Sequence, residues 1–251
     1  MFCSISVYYC PTRRGAGSQS DPEASVSGPS TDFCMVFAIG QPAGNAYFAG
    51  ETRQGMAYLT WASLPWRAGS TVAMADTFNH GPFLSAHIDV DKTSDPSYVS
   101  NGEAYGIRSW TARADFARWQ DGTSNQLIFG EKAIHTDKLR ACNLSNGHHD
   151  CTFLAGTGAN STNHAGRVFL DWNPPPAPAA FTIGGTWRNI VPPRPNPTDT
   201  QYYHSFGSWH PGICNFLLGD GSVRAVSVTT PADPILFSLS VVSSGQSVSL
   251  P

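Results

Sequence analysis

Two apolar runs near the end of the chain, 212–218 and 223–228, are separated by Asp220-Gly221. A tight turn between two strands demands positive φ at its centre, and Asp-Gly between apolar runs is the strongest short-range sign of one. The segment predicts a β-hairpin. A two-residue turn would oppose Leu218 to Val223, Phe216 to Ala225 and Cys214 to Ser227, making that face the core. The other face, with Leu217 against Arg224 and Asn215 against Val226, is mixed and open to a further element.

The rest of the chain is punctuated in the same way. With 24 glycines and 19 prolines in 251 residues, short strands joined by turns are expected rather than long helices. Residues 1–10 alternate like a strand and break at Pro11. Phe33 to Ile39 reads as a buried strand, Tyr105 to Trp119 as a strand with one helical turn, and Leu127-Ile128-Phe129 as a strand entered from Asp121-Gly122. Residues 41–100 read as loops and short strands, and 136–166 as a polar loop. Prolines at 174–176, 178, 192, 193, 195 and 197 make 174–197 an extended insertion or surface excursion. Past the hairpin, Asp233 is placed to cap a short helix with Pro234 at its first position. Ile235, Leu239 and Val242 would form its apolar face, and 246–250 a last strand. The expected fold is one β-rich α+β domain over 1–251, with an antiparallel sheet, a C-terminal hairpin and one short C-terminal helix.

Charge excludes several functions. Only 13% of residues are charged, about half the ~25% of an ordinary soluble domain. The net charge is −3, and among the 15 basic residues only Lys92, Lys132 and Lys138 are lysines. No basic patch dense enough to track a phosphate backbone exists, so no nucleic-acid partner is expected. At 41% hydrophobic with 7 tryptophans the chain is also too apolar to stay disordered. No apolar run approaches the ~18 residues of a membrane helix, and the N-terminus has neither the basic region nor the apolar core of an export signal. Six cysteines in a Ser-, Thr-, Asn- and Gly-rich chain nevertheless suit an oxidising compartment. Cys142 and Cys151 are the disulfide candidate. Cys3 and Cys10 are a weaker pair, on opposite faces and ~20 Å apart if the segment is extended.

Candidate chemistry is sparse. A His210–Asp220 dyad would need hydrogen-bond contact, yet some seven strand residues at ~3.3 Å each put the two roughly 20 Å apart. Asp220 is therefore read as a turn residue and His210 as a structural or interface histidine. An enzyme would require His210 beside a nucleophile or a metal ligand. Asp121-Gly122-Thr123-Ser124-Asn125 is a turn whose side chains can bond nearby backbone. Ser124 lacks the Gly-x-Ser-x-Gly setting of a nucleophile. Asp121 and Glu131 are weak calcium candidates, and no other cofactor is expected. His148-His149-Asp150-Cys151 is the densest ligand-like run, but adjacent strand histidines point apart, and a solvated polar loop is the expectation. The tryptophans admit a glycan-stacking reading beside the ordinary core one.

Residues 206–224 closely resemble the prepilin-type, processing-associated H-x9-D-G family of bacterial domains of unknown function. The matching positions are Ser208, His210, Pro211, Gly212, Asn215, Asp220, Gly221, Ser222, Val223 and Arg224. Ile213 and Ala225 depart from the usual glycine and aromatic. Asp121-Gly122-Thr123-Ser124-Asn125 with Leu127-Ile128-Phe129-Gly130-Glu131-Lys132 is similar to a second family block, with Gln126 in place of the usual threonine. Cys10-Pro11 followed by Arg13-Arg14 is similar to a third. The resemblance implies a pseudopilin-like globular head without its N-terminal pilin helix, in a reading frame that starts late or a variant that has lost its anchor. It further implies an extracytoplasmic, non-enzymatic role beside other pilin-like or secretion-assembly subunits, with a solute- or glycan-binding module as the alternative.

Overall fold

The computed structural model describes residues 9–15, 30–38, 81–83, 87–92, 98–100, 103–112, 115–140, 142–143, 148–150, 166–167, 169–171, 186–187, 190, 205–242, 244–245, 248 and 250. Its strands are β1 (Phe33–Val36), β2 (His87–Lys92), β3 (Tyr98–Ser100), β4 (Glu103–Thr111), β5 (Leu127–Glu131), β6 (Cys142–Asn143), β7 (His148–His149), β8 (Gly166–Arg167), β9 (Leu170–Asp171), β10 (Thr186–Trp187), β11 (Ile213–Leu218) and β12 (Val223–Ser227). One short helix, α1 (Phe237–Ser240), follows.

The principal sheet has the order β12-β11-β5-β1-β8. Its first four strands run antiparallel, and β8 joins β1 in parallel. The architecture is β-rich, as expected. Smaller sheets pair β2-β4-β3, β9 with β10, and β6 with β7. Thr186–Trp187 falls in the proline-free middle of 174–197, the part of that segment whose backbone N–H groups can still pair. Residues 1–8 and most of the proline-rich segment lie outside the described residues. Among the described residues no helix is long and apolar enough to cross a membrane.

Gly130 explains why β5 can be central. Its cross-strand neighbour on β11 is Phe216, and a Cβ at Gly130 would overlap the Phe216 ring and crowd Phe206. The missing side chain makes room for an aromatic group. Phe206, Phe216 and Phe169 cluster there with centroids 4.7, 5.2 and 5.8 Å apart, within the 4.5–7 Å range of favourable ring pairs. Leu127, Leu218, Cys214, Val226, Leu236 and Leu239 close the same core.

The hairpin forms with a register one residue away from the expected one. Leu217 opposes Val223, Phe216 opposes Arg224 and Cys214 opposes Val226. The loop has three residues, Gly219-Asp220-Gly221, with the Gly221 N–H on the Leu218 carbonyl and the Leu218 N–H on the Ser222 carbonyl. Gly221 takes φ 85°, the left-handed residue that closes such a loop. Gly219, which a two-residue turn would leave in the strand, is part of the turn and donates to the Gln126 carbonyl. A one-residue slip exchanges the faces of β12. Val226 enters the core, whereas Val223, expected inside, is 65% exposed.

The C-terminal helix also differs. Pro231 stands at its start and Ala232–Leu236 makes a π-turn before α1, with no side-chain cap. The wider turn advances the phase. Leu236 takes the deepest position, Leu239 and Val242 stay buried as expected, and Ile235 is only half-buried.

Cys214 lies wholly inside this core, and burial, followed by the Glu131 charge, holds its thiol well above the ordinary range. Near pH 8.5, where a free cysteine is about half thiolate, Cys214 should stay unalkylated in native protein and react only after denaturation. Peptide mapping after iodoacetamide treatment checks this, and fast native labelling would place Cys214 outside the core.

Candidate functional site

The site begins at a turn. Pro11 interrupts the chain, and the N–H groups of Arg13 and Arg14 both reach back to the Cys10 carbonyl. The turn sends consecutive arginines inward, where Asp32, immediately before β1, receives them. Asp32 Oδ1 accepts from Arg13 Nη1 at 3.1 Å and Arg14 Nε at 2.9 Å, and Oδ2 accepts from the Cys10 N–H at 2.8 Å. Arg14 also makes a two-pronged pair with Asp150, each bond 2.8 Å. Arg13 reaches the Gly207 carbonyl at 3.1 Å and lies 5.9 Å above the Trp209 ring, whose Nε1 donates to the Ile134 carbonyl.

Two guanidinium groups and two carboxylates thus neutralise each other with almost no exposure. Burial works against the Arg14 charge, but the Asp150 and then the Asp32 carboxylate outweigh it and raise its pKa above the ordinary arginine value. Charges buried this way persist only when paired and hydrogen-bonded. Asp150 was expected in a solvated loop and is instead 1% exposed. It takes the second prong of an arginine fork, which the sequence around it gives no means of foreseeing.

Against this network lies a triangle of ligand-type atoms. Cys10 Sγ is 3.3 Å from His210 Nε2, His210 Nε2 is 3.5 Å from Glu131 Oε1, and all three atoms lie within 4.8 Å of one another. Glu131 is the last residue of β5, and His210 sits in the turn leading into neighbouring β11. Each vertex is held from behind. Thr12 Oγ1 bonds Cys10 Sγ at 2.8 Å, Asn215 gives its N–H and Nδ2 to Glu131 Oε2 at 2.7 and 3.3 Å, and the His210 N–H bonds Ser208 Oγ. Cys10 and Glu131 are buried at 1% and 0% exposure, while the His210 side chain keeps 23%. Burial raises the Cys10 pKa, Thr12 pulls it down, and Glu131 raises it again.

The other singled-out residues go elsewhere. Asp220 is a turn residue, accepting from the Ser222 N–H at 2.8 Å, and this bond lowers its pKa. Pro211 and Gly212 form the turn before β11, with Gly212 at φ 72° and its carbonyl taking the Val228 N–H. Arg224 and Val223 are exposed on β12. Gly122, at φ 88°, leads into the 3-10 turn Thr123–Asn125, on which Ser124 is exposed. Asp121 holds the C-terminal segment, Oδ2 taking the Ser244 N–H and hydroxyl and Oδ1 the Gly245 N–H. Asp121 and Glu131, considered together for calcium, therefore stand at opposite ends of β5 with different partners. Cys10, Cys34 and Cys214 are free thiols. The Cys142–Cys151 pairing lies outside the described residues, as do the side chains of His148 and His149.

By sequence Cys10 reads as a strand end, a weak disulfide partner and part of the Cys-Pro block, with no ligand role. The available signal was that Cys10, Glu131 and His210 each sit in a different one of the three matched blocks. Nothing within any one block announces that the three meet in the fold.

Residues 3–233 match a family described as a protein of unknown function (DUF1559). No curated protein and no solved structure matches the chain significantly.

Proposed function

This chain belongs to the DUF1559 family, and on that premise we propose a non-enzymatic structural or interaction role. It is the extracytoplasmic head of an H-x9-D-G, pseudopilin-like subunit working beside other pilin-like subunits in a type IV pilus-like or type II secretion-like assembly. The observation that carries the reading is the buried network. Arg13 and Arg14 tie the Cys-Pro turn to Asp32 at the mouth of β1 and to the Gly207 carbonyl ahead of the His-Pro-Gly turn, so these block residues spend their side chains on holding strands and turns in register.

The contact that the enzyme reading requires is present, since His210 lies beside Cys10 and Glu131. Its chemistry favours another use. Nucleophilic cysteines are partly exposed with a lowered pKa, whereas Cys10 is 1% exposed and its pKa is raised. The test is fractionation of cells producing the intact reading frame, with a photo-crosslinker at exposed Val223. Protease-accessible protein outside the cytoplasmic membrane, crosslinked to a pilin-like subunit, is expected. Cytoplasmic retention would overturn the reading, and saturable glycan binding without such crosslinks would replace it with the solute-binding alternative.

A further inference from the structure

We infer that Cys10, Glu131 and His210 form a zinc site. Thiolate, imidazole and carboxylate are the three donor types zinc accepts, and a tetrahedron built on its usual bond lengths has S···N and N···O edges of about 3.4–3.6 Å. The Cys10–His210 and His210–Glu131 separations of 3.3 and 3.5 Å come within about 0.3 Å of two of these edges. Closing the third edge, from Sγ to the Glu131 carboxylate, requires a side-chain shift of at most about 1 Å, because every pair of ligand atoms already lies within 4.8 Å.

Glu131 supplies an independent indication. Its Oε2 is saturated by Asn215, but Oε1 is buried with no hydrogen-bond partner among the described residues. A buried carboxylate oxygen that faces the Cys10 thiol and the His210 ring without closing a well-formed hydrogen bond costs free energy that a cation removes. Zn²⁺ held by Cys10 as thiolate and Glu131 as carboxylate makes a neutral centre, which a buried location favours. Calcium, which prefers six or more oxygen ligands, does not suit a thiolate and an imidazole.

The surroundings are those of a held site. Asn215 fixes the carboxylate, Thr12 bonds the sulfur, and Ser208 fixes the backbone of His210. Such outer contacts orient metal ligands, and losing one typically weakens binding roughly 10- to 100-fold. Three protein ligands leave a fourth position for water. Binding releases the Cys10 proton to solvent and changes no oxidation state. The inference does not depend on the assembly role, since metal binding is read directly; an open fourth position is the arrangement of catalytic rather than closed structural zinc sites, so an occupied site would favour the enzyme reading over the structural one.

The test loads the full chain with Co²⁺ in place of Zn²⁺. One equivalent should bind with an intense thiolate-to-cobalt absorption band that Zn²⁺ abolishes by competition. Cys10→Ser should lose the band, His210→Gln should lose or shift it, and Asn215→Ala should keep it with at least tenfold weaker affinity. No band in the wild-type chain, or one unchanged in Cys10→Ser, overturns the inference. Should Cys10→Ser fail to fold, wild-type protein decides the matter through mass-mapped alkylation of Cys10. Zn²⁺ should slow that reaction at least tenfold, and an equal rate with and without Zn²⁺ overturns the site.

Discussion

Asp32→Ala should destabilise the fold by about 3–5 kcal/mol, the usual effect of removing one partner from a buried ion pair. Asp32 is 0% exposed and accepts from two guanidinium groups and the Cys10 N–H. Among the described residues its removal leaves Arg13 without a paired carboxylate and Arg14 with Asp150, both side chains being almost wholly buried. The Coulomb energy of the pair is not what is lost, because desolvation had largely offset it. The cost lies in the stranded positive charge. Asp32→Asn keeps the shape and a carbonyl acceptor, so it should recover part of the loss. Urea unfolding followed by Trp fluorescence measures the difference. An Arg224→Ala control on the exposed face of β12 should stay within about 0.5 kcal/mol of wild type. An Asp32→Ala change as small as that control would mean that water reaches the arginines.

Phe216→Ala should cost a similar amount, about 3–5 kcal/mol, through lost burial and the cavity left against Phe206 and Phe169. The more informative result is its coupling to Gly130. Alone, Gly130→Ala should destabilise by about 1–3 kcal/mol, the usual cost of overpacking, since its Cβ has nowhere to go but the Phe216 ring. In the Phe216→Ala background that methyl enters vacated space. The double variant should therefore be more stable than the two single effects predict, by about 1 kcal/mol or more in a double-mutant cycle. Additive effects would show that ring and glycine are not in contact.

The hairpin, the β5 strand, the buried first strand and the short helix were legible because each rests on local rules: turn residues, alternation and apolar spacing. Local rules also set the errors. Gly219 reads as well as the end of a strand as the start of a turn, and only its hydrogen bond to Gln126 decides between them, so the register moved by one. The helix start at Ala232 turns on a π-turn that no pattern of Asp233 and Pro234 announces. The site was illegible for a different reason. Cys10, Glu131 and His210 are adjacent only because β5 lies against β11 and the Cys-Pro turn is pinned by Asp32, and neither fact can be read from any window of sequence. Asp150 shows the same limit, since its partner Arg14 lies far back in the chain.

The strand order has a kinetic consequence. β5 sits between β1 and β11, so the centre of the sheet is assembled from segments near positions 33, 127 and 213. Pairings this distant in sequence form slowly, because loop closure precedes any gain from contact. During synthesis β5 cannot be flanked on both sides until residues 213–218 have left the ribosome, and the glycine that receives the Phe216 ring waits uncovered until then. The compact unit is thus completed late and from its C-terminal end, with the rapidly formed β11–β12 hairpin as the piece that closes it.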